Sequence, residues 1–203
     1  LSGSHNGVMT WANRVTILRM LFIPVFVVAL LARLPNWGPW WAAALFVLLM
    51  STDAVDGYLA RSRDEVTTFG KLIDPLADKL LVVAALVALV DLQTLPAWIA
   101  LAIISREFIV SGLRMVAVAE GKVIAASSFG KTKTFLQSVA IVGFILKDSD
   151  PILRFGESFA SAFQWLSWAV MALALALTIY SMLDYFYHAR EVITGPWNQR
   201  NAG

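Results

Sequence analysis

Six apolar stretches, at about 15–34, 40–60, 76–92, 96–119, 134–146 and 159–187, take up most of a 203-residue chain and leave it little choice of surroundings. Runs of this length are too long for strands, and a bilayer core takes about 20 consecutive apolar residues per helix. Charged residues make up only 15% of the chain, against about 25% in soluble domains, while 59% is hydrophobic and the mean hydropathy is +0.70. The predicted fold is therefore all-α and integral to a membrane, with six transmembrane helices in one domain over 9–190. Residues 1–8, "LSGSHNGV", read as a cloning scar or disordered start ahead of Met9, and 191–203 as a C-terminal tail. The fifth stretch is short. It reaches bilayer length only if the polar turn in "KTKTFLQSVAIVGFILK" is helical, with Lys131 and Lys133 snorkelling to the interface. Turn residues punctuate the runs at "RLPNWGP", "LQTLP" and "KDSDP".

The absence of cysteine excludes thiolate metal sites, catalytic thiols and disulfides. A net charge of +2 gives no sign of a nucleic-acid partner, and the placement of the charges is more informative. With the N-terminus inside, every lysine and arginine except Arg33, Lys147 and Arg154 falls in the cytoplasmic half, as the positive-inside bias requires. Trp37, Trp40, Trp41, Trp98, Trp165 and Trp168 then gather near the outer interface, and Trp11 and Trp197 near the inner one. Both termini are expected to be cytoplasmic, in an inner (cell) membrane.

That orientation turns Asp53, Asp56, Asp74 and Asp78 toward the cytoplasm. On a helix, Asp53 lies about eight residues before Arg61, roughly 12 Å deeper, and a carboxylate near mid-membrane costs around 2.5 to 3.5 kcal/mol. Caps and interfacial charges explain single aspartates, but these four are spaced. Asp53, Asp56, Gly57 and Ala60 stand at i, i+3, i+4 and i+7, and Gly70, Asp74 and Asp78 recur every fourth residue, so each set shares one helical face. Pro75 either opens the third helix, with Asp74 as its N-cap, or kinks it. Converging carboxylates repel unless protonated or neutralised, and hard dications such as Mg²⁺ bind carboxylate and phosphate oxygens. A metal site is the economical reading. Gly57 and Ala60 leave room for a ligand against the backbone, and Arg61 adds positive charge for a phosphate.

The run "DAVDGYLARSRDEVTTFGKLIDPLAD" resembles the signature of the CDP-alcohol phosphotransferase family, D-x2-D-G-x2-A-R-x8-G-x3-D-x3-D, at every fixed position. Background composition produces such a match about once in 10¹⁰ starting points. The resemblance implies the six-helix CDP-alcohol phosphotransferase fold, a homodimer among membrane lipids, and transfer of a phosphoalcohol from a CDP-linked lipid to a hydroxyl with release of CMP. It implies two divalent cations, Mg²⁺ or Mn²⁺, on Asp53, Asp56, Asp74 and Asp78. CDP contacts would come from Asp56, Gly57, Ala60, Arg61 and Gly70, with Asp78 as the catalytic base.

"WANRVTILRMLFIP", with Asn13, Thr16, Arg19 and Pro24, "REFIVSGLR" from Arg106 and "GKTKT" from Gly130 resemble segments of the phosphatidylglycerophosphate synthase branch. That branch implies CDP-diacylglycerol as donor and sn-glycerol 3-phosphate as acceptor. The residues point the same way: Arg106 and Arg114, two turns apart and about 80° round the helix, with Lys131 and Lys133, can ring an acceptor that is itself a phosphate. Glu107 can equally serve only to neutralise an arginine, and the lysines can be ordinary positive-inside charges. Alternatives remain a sibling enzyme whose acceptor is inositol phosphate, serine or phosphatidylglycerol, and an ion-coupled transporter, which also places carboxylates and arginines in the membrane.

Overall fold

The computed structural model describes the backbone of residues 11–32, 34–62, 68–119 and 129–200, and the side chains of 16–32, 34–52, 79–113, 115 and 133–187. Every regular element among them is helical: α1 (Trp11–Leu31), α2 (Gly38–Ser62), α3 (Thr68–Asp91), α4 (Ala97–Ala119), α5 (Phe129–Leu146), α6 (Asp150–Arg154) and α7 (Glu157–Arg200). The six expected runs are present, and the short α6 is an addition. The polar turn before Thr134 is part of α5, so that helix does gain its extra length. α3 starts at Thr68, so Asp74 is not its N-cap and Pro75 lies inside the helix. At 44 residues, α7 continues well past the expected end at Tyr187.

The chain divides into two compact units, one of Leu1–Leu95 with Val142–Gln164 and one of Pro96–Ile141 with Trp165–Gly203. In the first, α1 packs against both α2 and α3, which also touch each other. Helical periodicity explains the contact faces. Ile23, Phe26 and Leu30 of α1, Ala42, Phe46 and Leu49 of α2, and Ala85, Leu86 and Leu89 of α3 are buried at three- and four-residue intervals. The Phe26 and Phe46 rings meet at 5.6 Å between centroids, tilted by 43°. The opposite faces are no more polar: Leu18, Leu21, Val25 and Val28 of α1 are exposed. An exterior of this kind is stabilised by lipid rather than water. Glu157–Tyr187 within α7 is long and apolar enough to cross a membrane, and Thr16–Leu31, Gly38–Thr52 and Lys133–Leu146 are shorter apolar helical runs.

The turns are built by residues that tolerate a left-handed backbone. Asn36 has φ +59° between α1 and α2; its N–H donates to Asp150 Oδ2 at 2.9 Å, and its Oδ1 accepts from Arg154 Nη2 at 2.7 Å. The first turn is thereby tied to α6. Gln93, also at φ +59°, ends α3 in a Schellman motif: its N–H donates to the Val90 carbonyl and the Thr94 N–H to that of Leu89.

In the second unit, Val110 of α4 and Tyr185 of α7 form a small buried cluster, with Leu113 packed against it. Ile103, Ala140, Ile141, Met171 and Ala174 are also buried there.

Candidate functional site

The signature occupies two helices that contact each other. Asp53, Asp56, Gly57, Ala60 and Arg61 belong to α2, and Gly70, Asp74 and Asp78 to α3. Both segments are helical, so the i, i+3, i+4, i+7 spacing and the fourfold spacing assumed from sequence hold as helical registers. The side chains of these eight residues lie outside the described ones. The donor set suits hard dications, because carboxylates on two contacting helices supply only oxygen ligands. α1 packs against both helices and carries two buried polar side chains, Thr16 and Arg19, each 3% exposed. Both belong to the segment singled out at the start of the chain. Pro24 lies within α1 without ending it.

The second group of expected site residues sits on α4 and α5, in the other compact unit. Here Glu107 is the centre. Its Oε1 accepts from Arg106 Nη1 at 3.2 Å and pairs with the Lys133 ammonium of α5. The side chains of Arg106, Glu107 and Lys133 are 11%, 19% and 2% exposed, so the three charges are largely withdrawn from solvent together. Two cations sharing one carboxylate leave the trio with a net charge of +1. That arrangement satisfies the buried carboxylate twice over.

The lysine expected to snorkel does not. Lys133 is buried among the least accessible side chains of the protein, because the Glu107 carboxylate offers its ammonium a partner inside the helix packing. The internal ion pair considered for Glu107 is real, and it joins two of the residues assigned to the acceptor phosphate. Arg114 belongs to α4 and Lys131 to α5, with side chains outside the described ones.

Sequence reasoning missed Ser181. Its Oγ accepts from Arg106 Nη2 at 2.7 Å, bringing α7 to the same guanidinium. A serine in "LALTIYSMLDYF" carries no signal of this, since Thr178 three residues earlier looks equally polar and only bonds back to the Ala174 carbonyl. Arg106 Nε is buried with no hydrogen-bond partner among the described residues. A donor in that state is ready for an acceptor.

Comparison with known proteins bears on the same segments. The family model described as CDP-alcohol phosphatidyltransferase matches residues 9–180. The CDP-diacylglycerol–glycerol-3-phosphate 3-phosphatidyltransferase of Bacillus subtilis is 40% identical over 86% of this chain and 92% of its own length. A probable phosphatidylglycerophosphate synthase of Mycobacterium tuberculosis is 38% identical over 91% of this chain and 83% of its own. A further CDP-diacylglycerol–glycerol-3-phosphate 3-phosphatidyltransferase, from Sodalis glossinidius, is 37% identical over 90% and 94%. A complete signature on two contacting helices, together with a match across most of the chain, means that this protein belongs to the CDP-alcohol phosphatidyltransferase family of enzymes.

Proposed function

We propose that this enzyme transfers the phosphatidyl group of CDP-diacylglycerol to sn-glycerol 3-phosphate, giving phosphatidylglycerophosphate and CMP. The observation that carries the choice of acceptor is the agreement between the relatives' names and the cationic cluster of Arg106 and Lys133 around Glu107. A phosphate monoester needs such a cluster; serine, the acceptor of a sibling reading, does not.

Within this reading, Asp53, Asp56, Asp74 and Asp78 hold two divalent cations, Mg²⁺ or Mn²⁺, which when bound neutralise and polarise the donor's pyrophosphate. Gly57, Ala60 and Gly70 give the cytidine nucleotide a face without bulk, and Arg61 adds a charged donor for its phosphate. Arg106, Arg114, Lys131 and Lys133 bind the acceptor's phosphate and so orient its free hydroxyl. The hydroxyl oxygen bonds to the phosphorus carrying diacylglycerol, the bond from that phosphorus to the CMP oxygen breaks, and the hydroxyl proton passes to the Asp78 carboxylate.

Placement follows from the charge asymmetry: the protein spans the inner membrane with both termini and the aspartates on the cytoplasmic side, where a water-soluble acceptor and CMP exchange freely. A homodimer completes the proposal. The deciding assay uses purified protein, Mg²⁺ and CDP-diacylglycerol with glycerol 3-phosphate, serine or inositol phosphate, and measures CMP. Release that depends on glycerol 3-phosphate alone supports the assignment. Equal release with serine or inositol phosphate moves the enzyme to a sibling activity, and transport across sealed vesicles without CMP would make it a transporter.

A further inference from the structure

We propose that Ser181, on α7, is a positioning residue for the acceptor: with Glu107 it fixes the plane of the Arg106 guanidinium that meets the acceptor's phosphate. The inference rests on the reading of Arg106 as an acceptor contact and adds to it the group that aims this arginine.

The geometry begins with an arginine that local structure alone would not hold. Glu107 is its neighbour in sequence, and adjacent residues on a helix do not face each other. The bond from Arg106 Nη1 to Glu107 Oε1 is accordingly long, at 3.2 Å, and the same oxygen is shared with Lys133. One shared contact at one terminal nitrogen lets the guanidinium swing about it. The second contact removes that freedom: Nη2 donates to Ser181 Oγ at 2.7 Å, from a residue 75 positions away in sequence. With both terminal nitrogens held, the planar fork has a fixed orientation. Nε–H, buried and without a partner among the described residues, then points in a direction set by the two anchors.

Ser181 differs in its partner from four other hydroxyls of the described helices. Thr52, Ser111, Ser138 and Thr178 each donate to the carbonyl four residues back, the usual fate of such a side chain in an apolar helix. Ser181 is 7% exposed, and its hydrogen bond is to Arg106.

The test separates the hydroxyl from the shape of the side chain. Ser181→Thr and Ser181→Val have nearly the same volume and differ in the hydroxyl, so any crowding at this buried site affects both alike; Ser181→Ala is the unhindered third variant. Each is purified in detergent, checked by thermal unfolding, and assayed by CMP release with glycerol 3-phosphate and CDP-diacylglycerol varied in turn. Losing an anchor of a charged donor should raise the KM for glycerol 3-phosphate about five- to tenfold in Ser181→Ala and Ser181→Val. The KM for CDP-diacylglycerol should stay within about twofold, kcat should change less than the acceptor KM, and Ser181→Thr should match the parent. A structural role alone would lower the unfolding temperature and the amount of active enzyme without moving the acceptor KM. An unchanged acceptor KM in Ser181→Val, or equal defects in Thr and Val, overturns the inference. Arg106→Lys, which keeps the charge and loses the fork, tells the two levels apart. A raised acceptor KM there with a parental value in Ser181→Val leaves the acceptor site standing without its serine anchor. Parental values in both, with Arg114→Ala also unchanged, remove the acceptor site itself.

Discussion

The Lys133 ammonium of α5 is buried against the Glu107 carboxylate of α4, which also accepts from Arg106, so one acid holds two cations from two helices. The unequal burial of the pair, 2% for the lysine side chain and 19% for the acid, makes Glu107 the more approachable member. Removing it should do the greater harm, because both cations lose their carboxylate, whereas Glu107 without Lys133 retains Arg106.

Glu107→Ala is therefore expected to destabilise the protein by about 1.5 to 3 kcal/mol, the usual worth of a hydrogen bond to a charged group. Lys133→Met should cost less, and the combination of Glu107→Gln with Lys133→Met should recover part of the loss. Thermal unfolding of the purified variants in detergent provides the comparison. Equal stability of Glu107→Ala and the parent would show that the trio contributes nothing to the fold.

At the aspartates, Asp53→Asn or Asp74→Asn should abolish CMP release and weaken divalent-ion binding, since each removes a negative ligand from the cation cluster. Asp78→Asn should stop turnover even at cation concentrations high enough to restore Mg²⁺ binding, because the chemical step still lacks its base however well the cations are held. Titration calorimetry with Mg²⁺, Mn²⁺ and the CDP-lipid distinguishes these cases. Substantial activity in Asp53→Asn at ordinary Mg²⁺ would contradict the two-cation assignment.

Arg114 offers a cleaner acceptor probe than Arg106, whose loss would remove one of the partners of Glu107. A charge-assisted hydrogen bond to phosphate is worth roughly 1.5 to 3 kcal/mol, so Arg114→Ala should raise the KM for glycerol 3-phosphate at least about tenfold. The KM for CDP-diacylglycerol should remain within about threefold. Lys131→Ala tests the contact proposed from α5. Parental acceptor kinetics in both variants would place the phosphate elsewhere.

For topology, the useful positions are exposed residues at the expected outer side. Asp91, at the end of α3, and Ser158, in the first turn of α7, both qualify, whereas Ser149 is buried and would stay silent. Single cysteines at Asp91 and Ser158 should react with a membrane-impermeant thiol reagent on intact cells, and no native cysteine interferes. Labelling only after permeabilisation would reverse the proposed orientation.

Taken alone, the sequence determined the helical class, the positions of the main helices and the family, because each depends on short-range information. An apolar run specifies a helix in lipid wherever it lies in the chain, and the signature from Asp53 to Asp78 fits within two helical segments and the few residues that link them in sequence. Boundaries were less legible: the polar first turn of α5 and the end of α7 beyond Tyr187 carry no apolar pattern to mark them. The tertiary structure decided what each polar side chain inside an apolar helix does. It buried Lys133 rather than letting it reach the interface, set Glu107 between two cations, tied Asn36 to α6, and turned Ser181 toward Arg106 while Thr178 bonded to its own helix. The physical reason is that these helices are apolar on every side, so the sequence does not say which face meets which neighbour; a buried hydroxyl or ammonium acquires its role only when packing brings a partner from a distant segment within hydrogen-bond reach.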